Sequence, residues 1–381
     1  MTAPHRIAAI LGTRPEAIKL APVIAGLQTA PDFEVEVVLT GQHREMVDQV
    51  MQLFHLKADV NLDIMQPGQT LTDITERSLR GLETYFQQAN PDLAIVQGDT
   101  TTAFAAALAA FYRQIPIGHV EAGLRTDDLF NPYPEEANRR LISQLASLNF
   151  APTDRALANL KASSAVGTPI KTGNTVIDAL LAIARQDLTP PVPQLNWNDR
   201  RILLATVHRR ENWGDPLKAI ATAFRTLLDR FPDTALLLPL HRNPTVRDPL
   251  NTVLANHPRA HLVEPLSYGD LVAALQHCTL ILSDSGGIQE EAPALGKPVL
   301  VLRQTTERPE AIAAGTARLV GTDPEAIVAA ASELLSDPEA YARMAKAANP
   351  FGDGRATERI LTGMRQWFAR QTTPANTISV Q

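Results

Sequence analysis

The sequence predicts an α/β protein built on parallel, doubly wound sheets. Two observations carry that prediction. Short apolar runs recur along the 381-residue chain. Each is followed by Gly, Pro, His or Asp and then by a stretch of helical character, the alternation that strand–helix–strand units require. In the first half the runs Ile7–Leu11, Val35–Leu39, Leu93–Val96 and Ile117–Val120 read as strands. In the second half Ile202–Val207, Ala235–Leu240, Thr279–Leu282 and Val299–Leu302 do the same. The length suffices for two domains. Composition alone suggests a linker at the proline-rich stretch Leu188–Pro193. Residues 371–381 are polar and aperiodic, which reads as a flexible tail.

Hydrophobic residues make up 45% and charged residues 20%, as in a soluble globular protein. The net charge of −6 gives no global basic surface for nucleic acid. The single cysteine, Cys278, lies in an apolar run and reads as core filler, which fits a reducing cytoplasm. The first apolar run is too short for a signal-peptide core. The longest apolar tract, Ala103–Phe111, is too short to span a membrane.

In open α/β sheets, ligands bind at the carboxyl ends of the strands. The polar residues after each strand are therefore the candidates. Leu11 leads into Gly12-Thr13-Arg14-Pro15-Glu16, with Lys19 one turn into the helix. Arg14 and Lys19 could both reach an anion there. Val96 leads to Asp99 and Val120 to Glu121, so each strand end carries a carboxylate. Downstream, Pro134 starts a helix on which Glu135 and Arg139 share a face. An intrahelical ion pair would explain those two, a helix cap Asp99, and a loop salt bridge Glu121. Three carboxylates at one sheet edge nevertheless point to acid/base chemistry, because they shift one another's pKa values.

In the second half, Val207 leads into His208-Arg209 and Leu240 into His241-Arg242. A histidine beside arginines can contact phosphate or transfer a proton. The run Ser283-Asp284-Ser285-Gly286-Gly287 forms a strand, a glycine turn and a helix start that ends near Gly296. Such a terminus suits phosphate, and Glu290 and Glu291 could accept from a ribose diol. The plainer reading is an ordinary turn capped by Asp284 or Ser285. Arg308 follows the strand Val299–Leu302 at the same edge. No HExxH, clustered Cys/His, Walker A, GxSxG or GxGxxG pattern occurs, so no metal or dinucleotide cofactor is expected.

The strings GTRPEAIKLAP, GQHREM, QGDTTT, HVEAGLRT, PEEANR, HRREN, SDSGGIQEEAPALGKP and TTERPE occur in that order. Together they resemble the non-hydrolysing UDP-N-acetylglucosamine 2-epimerases of bacteria, from about residue 6 to residue 368. The resemblance implies a GT-B-like architecture: two Rossmann-type domains facing a cleft. It places them at residues 1–172 and 173–365, crossing near Gly173-Asn174-Thr175. A last helix of about 355–370 would return to the first domain, and the proline-rich stretch would become a loop inside the second. The implied reaction interconverts UDP-N-acetylglucosamine and UDP-N-acetylmannosamine through an enzyme-bound 2-acetamidoglucal.

By the same resemblance, Asp99, Glu121 and Glu135 are the acid/base carboxylates, completed by Arg139 and His208. Arg14, Lys19, Arg308 and Ser285-Gly286-Gly287 would hold the diphosphate. Glu291 would hold the ribose, and Leu266 and Leu271 the uracil. Gln42, Glu45, Glu136, Arg209 and His241 resemble the lining of a second, activating sugar-nucleotide site. An arginine that the family carries near Met65–Gln69 has no counterpart here. The implied partners are a UDP-sugar and a second copy of the chain. Rival readings are a GT-B glycosyltransferase, an epimerase for a modified UDP-diacetamido sugar, and a sugar-nucleotide sensor without turnover.

Overall fold

The computed structural model describes residues 3–41, 44–66 and 68–372. Of the expected tail, 373–381 therefore lies outside the described residues. The chain divides into two compact units, one running to Ala179 and resuming at Gly352, the other Leu180–Phe351. The division thus falls within the helix Thr175–Ala184, a few residues beyond the expected crossover at 172/173. The physical reason lies in its two ends. Asn174 and Asp178 bond to residues of the first unit, whereas the Ala184 carbonyl accepts from Gln276 of the second.

Among the described residues, the first unit forms a seven-stranded parallel sheet. Its strands are β1 (His5–Leu11), β2 (Phe33–Leu39), β3 (Val60–Asn61), β4 (Leu93–Gln97), β5 (Ile117–Val120), β6 (Leu148–Ala151) and β7 (Thr168–Lys171), in the order β3-β2-β1-β4-β5-β6-β7. The second unit forms a six-stranded parallel sheet from β8 (Arg201–Thr206), β9 (Thr234–Pro239), β10 (Ala260–Val263), β11 (Leu280–Ser283), β12 (Val299–Val301) and β13 (Ala317–Leu319), in the order β10-β9-β8-β11-β12-β13. In each sheet the winding reverses beside the first strand, between β1 and β4 and between β8 and β11. Turns leaving such neighbours diverge and open a crevice at the carboxyl edge.

All eight expected strands form, with ends shifted by at most two residues. Five further strands do not show in the apolar pattern. β3 has two residues, while β6, β7, β10 and β13 are interrupted by Asn, Pro, Lys, His or Arg. β3, β7, β10 and β13 lie at sheet edges, where continuous apolar runs are not required.

Central strands are apolar on both faces because helices cover both. Leu20, Ile24 and Leu27 of the helix Arg14–Thr29 pack on Ile7, Ala9 and Leu11. Phe224, Leu227 and Leu228 of the helix Asp215–Arg230 pack on Leu203, Leu236 and Leu238. Each such side chain contributes roughly 1.5–3 kcal/mol on burial. Cys278 is buried in the second unit, and burial pushes its thiol up to about 12. The proline-rich stretch also belongs to that unit: Leu195 is buried, and the Trp197 indole donates to the Pro191 carbonyl at 2.8 Å.

The last helix, Ala356–Thr372, packs in the first unit. Ile360, Leu361, Met364 and Phe368 enter the core beside β1. Phe368 stacks on His5 with centroids 3.8 Å apart. Arg365 makes two parallel bonds to Asp32, at 2.7 and 3.0 Å. At the other end, the Asp178 carboxylate accepts from the amides of Ala356 and Thr357 at 3.1 and 2.8 Å. It serves as a cap supplied from elsewhere in the chain, for amides that would otherwise lack partners. Replacing it, Asp178→Ala, is expected to cost about 1–2 kcal/mol. The thermal midpoint should fall by a few degrees. An unchanged midpoint in a melting experiment would show that the cap is not needed.

Candidate active site

In the first unit the described candidates gather at the carboxyl edge between β1, β4 and β5. The turn after β1 is shaped by Glu16, which is 1% exposed. Its Oε2 accepts from the amides of Gly12 and Thr13 at 2.9 and 2.6 Å. Its Oε1 accepts from the Thr100 hydroxyl, beyond β4, at 2.6 Å. Arg14 is exposed at the helix start and makes no ion pair among the described residues.

One turn on, Lys19 reaches across the sheet edge to Glu121, with Nζ 2.5 Å from Oε1. Asn174 donates to the same oxygen at 3.1 Å, and Gln97 to Oε2 at 2.5 Å. Glu121 also has φ +65°, in the left-handed region that non-glycine residues rarely occupy. Lys19 therefore fills the salt-bridge role expected for Glu121.

Asp99 does not cap a helix. Thr100 caps the helix Thr101–Tyr112, accepting from Ala103 N. The Asp99 carboxylate instead meets Arg139 at 2.6 Å. Burial raises the Asp99 carboxyl above its ordinary range; Arg139 opposes the rise, and the negative charges of Glu121 and Glu135 add to it. Its main chain is held on both sides of the peptide: His119 Nε2 bonds the Gly98 carbonyl at 2.7 Å and Asn138 the Asp99 carbonyl at 2.9 Å.

Arg139 does not pair with Glu135 four residues earlier. It turns to Asp99 and to Glu136, the latter at 3.4 Å. One oxygen of Glu135 is buried without a hydrogen-bond partner. A group left this way costs free energy in the resting protein. Glu136 is fully buried, accepting from the Thr126 amide at 3.1 Å and from Arg140 at 2.6 Å, and so ties down the loop after β5.

In the second unit the central group is Asp284, which is 0% exposed. It accepts from the amides of His208 and Arg209 at 3.0 and 2.9 Å and from Asn212 Nδ2 at 3.0 Å. Neither Asp284 nor Ser285 caps the next helix, Gly286–Glu291, through its side chain. His208 Nδ1 lies 3.4 Å from Asp284 and its ring stacks at 6.3 Å on that of His241. Burial lowers the pKa of His208 from its ordinary value, against the pull of Asp284.

Three arginines at this edge are matched by carboxylates. Arg209 and Arg303 both bond Glu307. Burial alone would raise the Glu307 carboxyl, but Arg209, a backbone hydrogen bond and Arg303 bring it down to about 2. Arg308 bonds Glu290 and is not left to solvent alone. Glu291 accepts from the Tyr268 hydroxyl at 2.9 Å. Leu266 and Leu271 are half-buried and flank Ser267, which caps the helix Tyr268–His277 by accepting from Asp270 N at 3.1 Å. No group of three or more His, Cys, Asp or Glu is arranged to hold a metal among the described residues.

A family model for UDP-N-acetylglucosamine 2-epimerase matches residues 25–365. The chain belongs to that family. The UDP-N-acetylglucosamine 2-epimerase of Escherichia coli K12 is 48% identical over 370 residues, spanning 94% of this chain and 98% of that one. The enzyme of the same name from Bacillus subtilis 168 is 48% identical over 359 residues, spanning 93% and 94%. The crystal structure of UDP-GlcNAc 2-epimerase from Neisseria meningitidis bound to UDP-GlcNAc is 46% identical. It superposes with a TM-score of 0.84 over 95% of this chain and all of that one.

Within this epimerase-family chain, the structure joins Lys19 to Glu121, Arg139 to Asp99, and His208 to His241. Of the expected effector residues, Gln42 and the side chain of Glu45 lie outside the described residues. Glu136 belongs to the first unit, and Arg209 and His241 to the second.

Sequence reasoning missed Glu16, Gln97, His119, Asn138, Asn174 and the part played by Asp284. Glu16 had a signal in Thr13-x-x-Glu16, the spacing of a capping box. The others act through bonds across 20 to 80 residues, for which a single sequence carries no local sign.

His119 is fully buried, and that burial holds its pKa down at about 4 against an ordinary 6.5. An unfolded chain takes up a proton below pH 6.5 that the folded chain refuses until about pH 4. Stability therefore falls as pH drops through that window, by up to roughly 3 kcal/mol, and gains nothing above it. His119→Gln is expected to flatten this part of the acid limb in unfolding midpoints measured against pH. An acid limb of unchanged slope would remove His119 as its source.

Proposed function

We propose that this chain epimerises UDP-N-acetylglucosamine at C2, giving UDP-N-acetylmannosamine for cell-surface polysaccharide synthesis. The observation that carries the reading is a set of three carboxylates at one sheet edge, each with different surroundings, in a chain of this family. Asp99 faces an arginine, Glu121 a lysine and two amides, and Glu135 keeps an oxygen without a partner.

In the forward step a carboxylate removes the C2 proton. The C–H electron pair becomes the C1=C2 double bond, and the C1–O pair leaves with UDP. Re-addition of UDP at C1, with a proton delivered to the other face of C2, gives the epimer. The step is redox-neutral and calls for no cofactor. The C2 proton is not acidic, so leaving-group stabilisation has to lower much of the barrier. Arg14, Lys19, Arg308 and the Ser285-Gly286-Gly287 turn are assigned that task. Asp99, Glu121 and Glu135 exchange protons, each positioned acid or base being worth roughly 10²–10⁴-fold. Arg139 orients Asp99, and His208 completes the set. Glu291 is assigned to the ribose, and Leu266 and Leu271 to the uracil. A sensor of the same nucleotide would gain nothing from clustered carboxylates beside a dianionic diphosphate, and a glycosyltransferase would transfer the sugar to an acceptor with no proton exchange at C2.

We assign the enzyme to the cytoplasm, where a lone buried thiol such as Cys278 is stable. No described helix is long and apolar enough to cross a membrane. Phe111, Tyr112 and Leu141 are 51%, 69% and 48% exposed on the helices Thr101–Tyr112 and Glu135–Leu145. Apolar exposure of this kind on two neighbouring helices supports a homodimer.

Incubation with UDP-N-acetylglucosamine in heavy water is expected to give deuterium at C2 and two intact UDP-sugars, followed by NMR. Free UDP with N-acetylmannosamine as main products would indicate a hydrolysing enzyme, and no deuterium uptake would end this mechanism. Asp99→Asn and Glu121→Gln should each lower kcat by about 10²-fold or more with the fold retained. Wild-type rates in either variant would take that residue out of the proton-transfer set.

A further inference from the structure

Glu16 is a carboxylate at the first sheet edge that the proposed chemistry does not use, yet it is almost wholly buried. Burying a carboxyl group is costly unless donors replace water. Here three do so, and they come from both sides of the sheet's reversal point: Gly12 N and Thr13 N after β1, and Thr100 Oγ1 after β4. None of the three is a charged partner, so no ion pair among the described residues accounts for the carboxyl group.

The turn that carries Arg14 begins at the two amides that Glu16 binds. The turn that carries Asp99 ends at the hydroxyl that it binds. These turns are also packed closely: a Cβ on Gly12 would stand 2.1 Å from Thr40 Oγ1 and 3.2 Å from Thr102 Oγ1. The second unit repeats the arrangement independently. Asp284, leaving β11, binds the amides of His208 and Arg209, leaving β8, again across the reversal point. A capping box alone would need only the bond to the Thr13 amide. The bonds to Gly12 and to Thr100 go beyond that need.

We propose that Glu16 is a positioning residue: its carboxyl group bridges the turn after β1 to the turn after β4 and so fixes Arg14 and Lys19 relative to Asp99. The inference rests on the epimerase reading, in which Asp99 exchanges a proton at C2 while Arg14 and Lys19 hold the diphosphate that leaves from C1. Displacing reacting groups by about 1 Å can cost 10²-fold in rate without loss of binding. The role is geometric, so an amide of the same shape can take it over. Its oxygen can accept from Gly12 and Thr13 while its NH₂ donates to the Thr100 hydroxyl.

The test compares wild type with Glu16→Leu, Glu16→Gln, Thr100→Ala and the double variant Glu16→Leu/Thr100→Ala. The readouts are kcat and KM for C2 deuterium exchange and the thermal midpoint. Glu16→Leu is expected to lower kcat by about 10²-fold with KM changed by less than about 3-fold. Glu16→Gln should recover most of that loss. In the double variant the two kcat losses should be clearly less than additive, because both single changes break one bridge.

Full activity in Glu16→Leu would overturn the proposal. So would a Glu16→Gln variant as impaired as Glu16→Leu, which would mean that the charge or a proton matters. Additive losses in the double variant would also overturn it. If Glu16→Leu fails to fold, the Gln variant and Thr100→Ala still decide: wild-type kcat in Thr100→Ala removes the bridge. Absence of exchange in the wild-type protein would instead defeat the epimerase reading itself, which separates the two failures.

Discussion

A carboxylate withdrawn from water has to be met by hydrogen-bond donors, and at the carboxyl edge of these sheets that requirement shapes the chain. Strands in parallel arrays end together, and the turns that follow them point free amides into a common space. Glu16 collects two such amides and Asp284 another two. In each case the carboxyl group also binds a side chain of a different segment, Thr100 or Asn212. The two turns beside each reversal point are therefore not independent loops. Arg14, Asp99 and His208 stand where they do because the neighbouring main chain is already spoken for.

The same demand governs the positive charges of the second unit. Arg209 and Arg303 share Glu307, Arg303 also binds Glu211, and Arg308 binds Glu290. A diphosphate approaching these guanidiniums meets a field that carboxylates have already partly cancelled. Its gain from any one arginine is a difference between two strong interactions. Neutral main-chain donors carry no charge for a carboxylate to cancel. In the proposed reaction this balance is useful. UDP has to be held as a leaving group yet remain able to attack C1 again, and a site that bound it with uncompensated charge would stabilise the separated state too deeply.

Much of this was legible in the sequence because parallel central strands are written as apolar runs and functional residues follow them directly. Leu93–Val96 and Ile117–Val120 located Asp99 and Glu121, and Val207 located His208. What the pattern could not carry were relations between segments. Glu135 and Arg139 have the spacing of an intrahelical pair, but Arg139 finds a stronger opportunity in Asp99, which burial makes needy of a cation. Asp284 and Ser285 look like caps of the glycine turn, whereas Asp284 faces the amides after β8, 75 residues away in the chain. The short edge strands were invisible for the related reason that their pairing comes from a neighbour and not from their own composition.

Glu121 shows most clearly what the fold maintains for chemistry. Its φ of +65° is one that glycine or asparagine adopts more cheaply. A non-glycine residue held there costs on the order of 1–3 kcal/mol. A glutamate also has to be desolvated, since its side chain is almost wholly buried. Lys19, Asn174 and Gln97 offset both costs, but each of them is itself a buried or half-buried polar group drawn from a different segment. A glycine at this position would dispense with the strain, the desolvation and the need for all three donors. Stability alone would select that simpler turn. The carboxylate stands here against backbone preference and against solvation, a cost that the proposed proton transfer at the end of β5 would account for and the fold alone would not.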